Sequence, residues 1–161
     1  IQIKAPKALI IALIKFDLFI IYRFMISLSM IKLYLTTLVY FYIIDTIGIQ
    51  TFVLKLYKAN LPENLKINFE LPSAIIFYLI FVLGLVYFVI APLKNAPLIS
   101  VVNPAIIYGL VTYATYAFTV KAVFGAFNWT IVISDVAWGM ALCTAVSLIT
   151  VFTISKVGFL N

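Results

Sequence analysis

Residues 128–154 read NWTIVISDVAWGMALCTAVSLITVFTI, and a single residue of this run, Asp135, is charged. From Trp129 to Ile154 the stretch is long enough to cross a bilayer, which takes about 20 apolar residues. A carboxylate at the centre of such a helix costs roughly 2.5–3.5 kcal/mol on insertion scales, and less near an interface. A sequence this apolar keeps such a group only where it has a partner or a job.

Outward from this run, three more segments of the same kind are expected at about 31–52, 73–91 and 104–123. The chain has 161 residues, of which 66% are hydrophobic and 10% charged, and its mean hydropathy is +1.22. A soluble domain of this length needs a far more polar surface. The expectation is an all-α polytopic membrane protein, with four transmembrane helices in an up-down bundle over residues 31–161.

Residues 1–30 differ from the rest. Lys4, Lys7, Lys15, Arg23 and Asp17 interrupt their apolar run. A transmembrane placement would bury Lys15 and Asp17 near the bilayer centre at several kcal/mol. An N-terminal interfacial amphipathic helix is cheaper, because long basic side chains can snorkel to the headgroups. After the first span, the polar stretch LKLYKANLPENLKINFELP reads as a connector. Ser73 is an expected N-cap for the second span, Asn103-Pro104 an expected start for the third, and Asn128 an expected cap for the fourth.

The absent residues limit the chemistry. The chain has no histidine and one cysteine, Cys143. Imidazole-ligated haem or zinc, imidazole-dependent triads and internal disulfides are thereby excluded. Glycine-rich phosphate loops are lacking too. No enzyme activity, metal or cofactor is expected, although structural lipids are.

Alternating spans place the end of the first and third helices and the start of the fourth in one leaflet. Asp45, Lys121 and Asp135 therefore fall at comparable depth, and two arrangements are expected alike: an ion pair from Lys121 to Asp135, Asp45 or both, or a snorkelling Lys121 with each aspartate capping a helix end or meeting a loop donor. Trp138, three residues from Asp135 on the same face, is expected to bring its indole N–H near that carboxylate. Ala137, Ala141 and Ala145 repeat every four residues, as do Gly139, Cys143 and Ser147; both stripes of small residues are expected to pack helices closely. Lys and Arg near span ends number seven on the N-terminal side against four on the other, favouring a cytoplasmic or matrix location for both termini. No basic patch dense enough for nucleic acid is present.

The segments Tyr78 to Pro92 and Gly109 to Leu142 resemble a family of small four-helix membrane proteins, domain-of-unknown-function family 2177. The family reads Thr-Tyr-Asp-x-Thr-Asn, then Trp, then Asp-x-Ala-Trp-Gly; here Thr115, Tyr116, Thr119, Trp129, Asp135, Ala137, Trp138 and Gly139 match. Asp45 matches another acidic position. Ala117 and Val120 stand where the family has aspartate and asparagine. The resemblance covers about residues 31–154 and implies a fold without a reaction.

Three functional classes follow as expectations, the least favoured being a membrane-embedded enzyme acting on lipid, since the chain has no histidine, one buried cysteine and no paired acidic motif. The first is a non-catalytic accessory subunit of a multi-subunit membrane complex, partnered by other membrane subunits and anionic lipids such as cardiolipin. Heavy use of Ile, Phe, Tyr, Lys and Asn matches an AT-rich genome, and a start at Ile1 with a basic N-terminus is compatible with a trimmed organellar import signal. These features favour a mitochondrial inner membrane and a respiratory-chain complex, with a bacterial inner membrane as the alternative. The second class is a small proton- or solute-coupled transporter using Asp45 and Asp135. Of these classes, the first is preferred, with Asp135 as a structural anchor.

Overall fold

The computed structural model describes the backbone of residues 7–62, 70–125 and 127–157, with side chains described for 28–62, 70–125 and 127–156. Among these residues the protein is helical and contains no strand. Helix α1 spans Lys7–Gly48 and continues through a π-helical segment, Ile49–Val53, into α2, Leu54–Asn60. Helix α3, Leu71–Leu85, passes through a second π segment, Val86–Ile90, into the short α4, Ala91–Leu93. Helices α5, Leu98–Phe124, and α6, Trp129–Val157, complete the chain. Among the described residues, four helical stretches are long and apolar enough to cross a membrane: Leu28–Asn60, Leu71–Leu93, Leu98–Phe124 and Trp129–Lys156.

The inward faces follow a four-residue spacing. On α1, Leu33, Thr37, Phe41 and Asp45 are buried; on α5, Val101, Ala105, Gly109 and Ala117 are buried. Positions three and four apart share one helical face. Outward positions such as Ile80, Tyr87 and Phe88 are exposed, as expected of surfaces facing lipid, which is as apolar as leucine. Successive spans run antiparallel, with α6 packed between α5 and α1, and the second span against α1 through α3 and against α5 through the π segment Val86–Ile90.

The structure moves several boundaries. The helix crosses the expected break between residues 30 and 31 without interruption; the side chains of the expected interfacial helix, up to residue 27, lie outside the described residues. The connector after the first span is helical as far as Asn60 rather than a loop. Helix α3 begins two residues before Ser73, which is not its N-cap; the Ser73 hydroxyl instead donates to the Glu70 carboxylate. Helix α5 begins at Leu98, and Pro104 lies inside it. An internal proline removes one backbone hydrogen bond. The turn before it holds because the Ser100 N–H donates to the Pro97 carbonyl at 2.9 Å and Val101 is fully buried.

Asn128 does cap α6. Its Oδ1 accepts from the Ile131 N–H at 2.9 Å, and its Nδ2 donates to Asn60 Oδ1, also at 2.9 Å. One side chain thus satisfies an orphan donor of α6 and ties α2 to the same membrane edge. Replacing Asn128 with alanine is expected to lower stability in detergent by about 1–2 kcal/mol, with Asn128→Asp, which keeps the cap, losing less. A thermal melt of the alanine variant matching wild type would contradict this.

On α6, Gly139, Cys143 and Ser147 are buried, whereas Ala137 and Ala141 are exposed and Ala145 is half-buried. The two small-residue stripes are offset by two residues, about 200° around the helix, so both cannot face inward. The alanine stripe is therefore not the packing seam. The glycine stripe allows the close approach: a Cβ on Gly109 would stand 2.8 Å from Met140 Cα and against the Gly139 carbonyl.

A candidate intramembrane acid site

Asp45 lies on the buried face of α1 and is 4% exposed; Asp135 lies one and a half turns into α6 and is 6% exposed. Asp45 accepts two hydrogen bonds, from Trp138 Nε1 to Oδ1 at 3.1 Å and from the Tyr78 hydroxyl to Oδ2 at 2.8 Å. The indole of Trp138 is admitted because α1 carries Gly48 there; any Cβ at that position would fall within the ring. Asp135 accepts at Oδ2 from the Tyr57 hydroxyl at 2.5 Å, and its Oδ1 accepts from none of the described residues. Both carboxylates are thus held by neutral donors, which satisfy lone pairs without adding charge.

Tyr57 reaches Asp135 because of the first π segment. On an unbroken α-helix, twelve residues separate Tyr57 from Asp45 by about a third of a turn beyond three full turns. The wider i→i+5 winding over Ile49–Val53 takes up that surplus and returns Tyr57 to the inner face. Tyr57 then stacks edge-on against Phe127 at 5.4 Å, within a second apolar cluster of Ala117, Phe127, Ile131 and Val132. Ala117 and Val120, the positions where the resemblance has polar residues, both belong to this cluster. They are therefore packing positions here.

The two carboxylates share one cavity of about 600 Å³. The first π segment lines it through Ile49 and Val53, α3 through Ser73, Phe77 and Phe81, and α5 through Thr112, Tyr113 and Tyr116. Helices α3 and α5 touch at Phe81, whose carbonyl accepts from the Tyr108 hydroxyl at 3.0 Å and whose ring meets Tyr113 at 5.7 Å. Beyond Phe81 toward the start of α3, the lining residues Ser73, Phe77 and Tyr116 are exposed, and they form the mouth of the cavity.

The sequence reading grouped Asp45, Lys121, Asp135 and Trp138. The structure brings Asp45, Asp135 and Trp138 to the cavity but turns Lys121 away. Its Nζ donates to the Phe127 carbonyl at 3.0 Å and lies 4.7 Å from the centre of the Trp129 ring. The expected ion pair is replaced by this arrangement because Lys121 belongs to the last turn of α5, which Gly125 closes in the left-handed conformation (φ 62°). The connection beyond that turn presents the Phe127 carbonyl within the ammonium's reach. Trp138 likewise serves Asp45 on α1 rather than Asp135 on its own helix. Sequence reasoning missed Tyr57 and Tyr78, the donors to the two acids. Tyrosine is common in the chain, with ten residues, and nothing in its spacing marked these two.

Among the described residues, no group of three or more His, Cys, Asp or Glu side chains is placed to hold a metal ion. Cys143 is buried and unbridged. Neither a curated protein nor a solved structure gave a significant match. The family model described as "Predicted membrane protein (DUF2177)" matches residues 30–152, a stretch that contains the whole cavity and both of its acids, and the chain therefore belongs to this family of multi-pass membrane proteins.

Proposed function

We propose that the protein is a small solute transporter of the membrane in which Asp45 and Asp135 exchange a proton for a cation. The observation that carries this reading is their convergence on one cavity inside the membrane-spanning region. Among the described residues neither acid has a basic partner, and intramembrane acids that face a cavity mark ion pathways and proton relays. This departs from the expectation of Asp135 as an anchor to Lys121, since Lys121 is engaged elsewhere. Reconstituted in liposomes, the wild-type protein is expected to dissipate an imposed pH gradient when a permeant cation substrate is supplied. Asp135→Asn and Asp45→Asn are expected to slow that flux by at least about tenfold. Equal rates in all three proteins would overturn the proposal.

A second reading, the accessory subunit of a larger membrane complex, is favoured by one separate feature. Helix α3 is bordered on its α1 side by a mainly apolar cleft of about 750 Å³, lined by Leu38, Val39, Tyr42, Leu71 and Ile75 among others. Such a cleft suits a lipid chain, cardiolipin included, or a partner helix. Under this reading a mitochondrial inner membrane is preferred to a bacterial one on composition. Purification in mild detergent separates the two: co-migration with a large assembly supports the subunit, and a free small oligomer supports the transporter.

A further inference from the structure

We infer that the cavity between Asp45 and Asp135 takes a small organic cation bearing an ammonium group. This rests on reading the cavity as a solute site and names the class of solute. Its lining combines two carboxylates with six aromatic rings, those of Tyr57, Phe77, Phe81, Tyr113, Tyr116 and Trp138, and no described lysine or arginine. Two acids with no base beside them reject anions. A bare metal ion needs several oxygen ligands at short range, whereas this wall is mostly carbon. An alkylammonium ion is different: its charge is spread over a greasy surface, and aromatic faces attract it without having to replace a tight hydration shell. The size agrees, since about 600 Å³ lies within the roughly 300–1,000 Å³ range of small-molecule pockets.

The polar groups have a division of labour. Both oxygens of Asp45 are occupied by Trp138 and Tyr78, so Asp45 supplies charge and fixes the Trp138 ring. Asp135 has one oxygen engaged by Tyr57 and the other without a described donor, which leaves that oxygen to face the positive charge of an ammonium group. At the mouth, Tyr116 is 53% exposed and belongs to the rings that a cation meets on entry. The ammonium can come from a free amine or from the headgroup of a choline or ethanolamine lipid entering between α3 and α5.

The test titrates choline and tetraethylammonium into the protein held in phosphatidylglycerol nanodiscs, which carry no ammonium headgroup. Binding is followed by equilibrium dialysis of labelled choline and by tryptophan fluorescence. Saturable binding is expected, at least about tenfold weaker in Asp135→Asn and about fivefold weaker in Tyr116→Ala, but within about twofold of wild type in Tyr116→Phe. Tyr116 is exposed, so its alanine variant reports on the cage even where an aspartate variant fails to fold. Absence of saturable binding in wild type, unchanged affinity in both weakened variants, or equal displacement by sodium would overturn the inference. Repeating the titration in phosphatidylcholine nanodiscs separates the sources: loss of choline binding identifies the headgroup as occupant, and retention identifies a free ammonium ion. Flux that depends on Asp135 without any ammonium binding would sink this ligand class and leave the transport reading standing. Binding without flux would do the reverse.

Discussion

Replacing Gly109 with alanine is expected to destabilise the protein by about 2–3 kcal/mol, the upper part of the range for overpacking. This loss occurs although alanine is the better helix former by about 1 kcal/mol. The added methyl would meet the backbone of α6, with the carbonyl carbon of Gly139 and the Cα of Met140 each at 2.8 Å. Neither can rotate out of the way, so the two helices must separate along their seam. Because α5 and α6 share the most extensive interface in the bundle, separation there also shifts Tyr113 and Tyr116 relative to Asp135 and loosens the cavity. Gly84 provides the contrast: a methyl there would meet the Tyr108 hydroxyl, the far end of a side chain that can swing aside at the expense of one hydrogen bond. Gly84→Ala is therefore expected to cost about 1 kcal/mol. Thermal or denaturant unfolding in one detergent measures both variants, and a Gly109→Ala protein as stable as Gly84→Ala would refute the close-approach argument.

Replacing Asp45 with leucine is expected to cost about 2–4 kcal/mol, because two donors, the Trp138 indole and the Tyr78 hydroxyl, lose their acceptor at a buried position. The charge itself is expensive to bury, so this loss is an effect of orphaned partners rather than a measure of what the carboxylate contributes. Asp45→Asn keeps an acceptor oxygen and is expected to cost about half as much. The sharper measurement is a double-mutant cycle of Asp45→Leu with Trp138→Phe. Once the indole N–H is gone, leucine no longer strands it, so a coupling of at least about 1 kcal/mol is expected. Additive losses would mean that the Trp138 contact is incidental. The same cycle between Asp135 and Lys121 is expected to be additive, since the Lys121 ammonium is held by the Phe127 carbonyl and the Trp129 ring.

Much of this fold is written into composition. Runs of apolar residues with few charges have one stable environment, the bilayer, and there each backbone amide must find its partner inside its own helix. That fixed four spanning helices, and the cap at Asn128 and the leaflet shared by Asp45 and Asp135 followed from local chemistry and alternation. Boundaries were less legible. Pro104 signalled a helix start, yet the burial of Val101 carries α5 back to Leu98. The polar residues after Phe52 signalled a loop, yet packing of Leu56, Tyr57 and Leu61 against the cluster of Ala117, Phe127, Ile131 and Val132 keeps the chain helical to Asn60.

What belonged to the tertiary structure alone was the choice of partners. Depth in the membrane is a property of one helix and can be counted along the chain, but the rotation of a helix about its axis depends on its neighbours. The sequence therefore placed Asp45, Lys121 and Asp135 at one level and could not say which way each side chain turns. The π segment at Ile49–Val53 rotates Tyr57 toward Asp135, Gly48 opens the space that lets Trp138 reach Asp45, and the left-handed turn at Gly125 gives Lys121 a carbonyl instead of a carboxylate. With the lysine turned away, two acids that read as halves of ion pairs become the charged walls of a cavity.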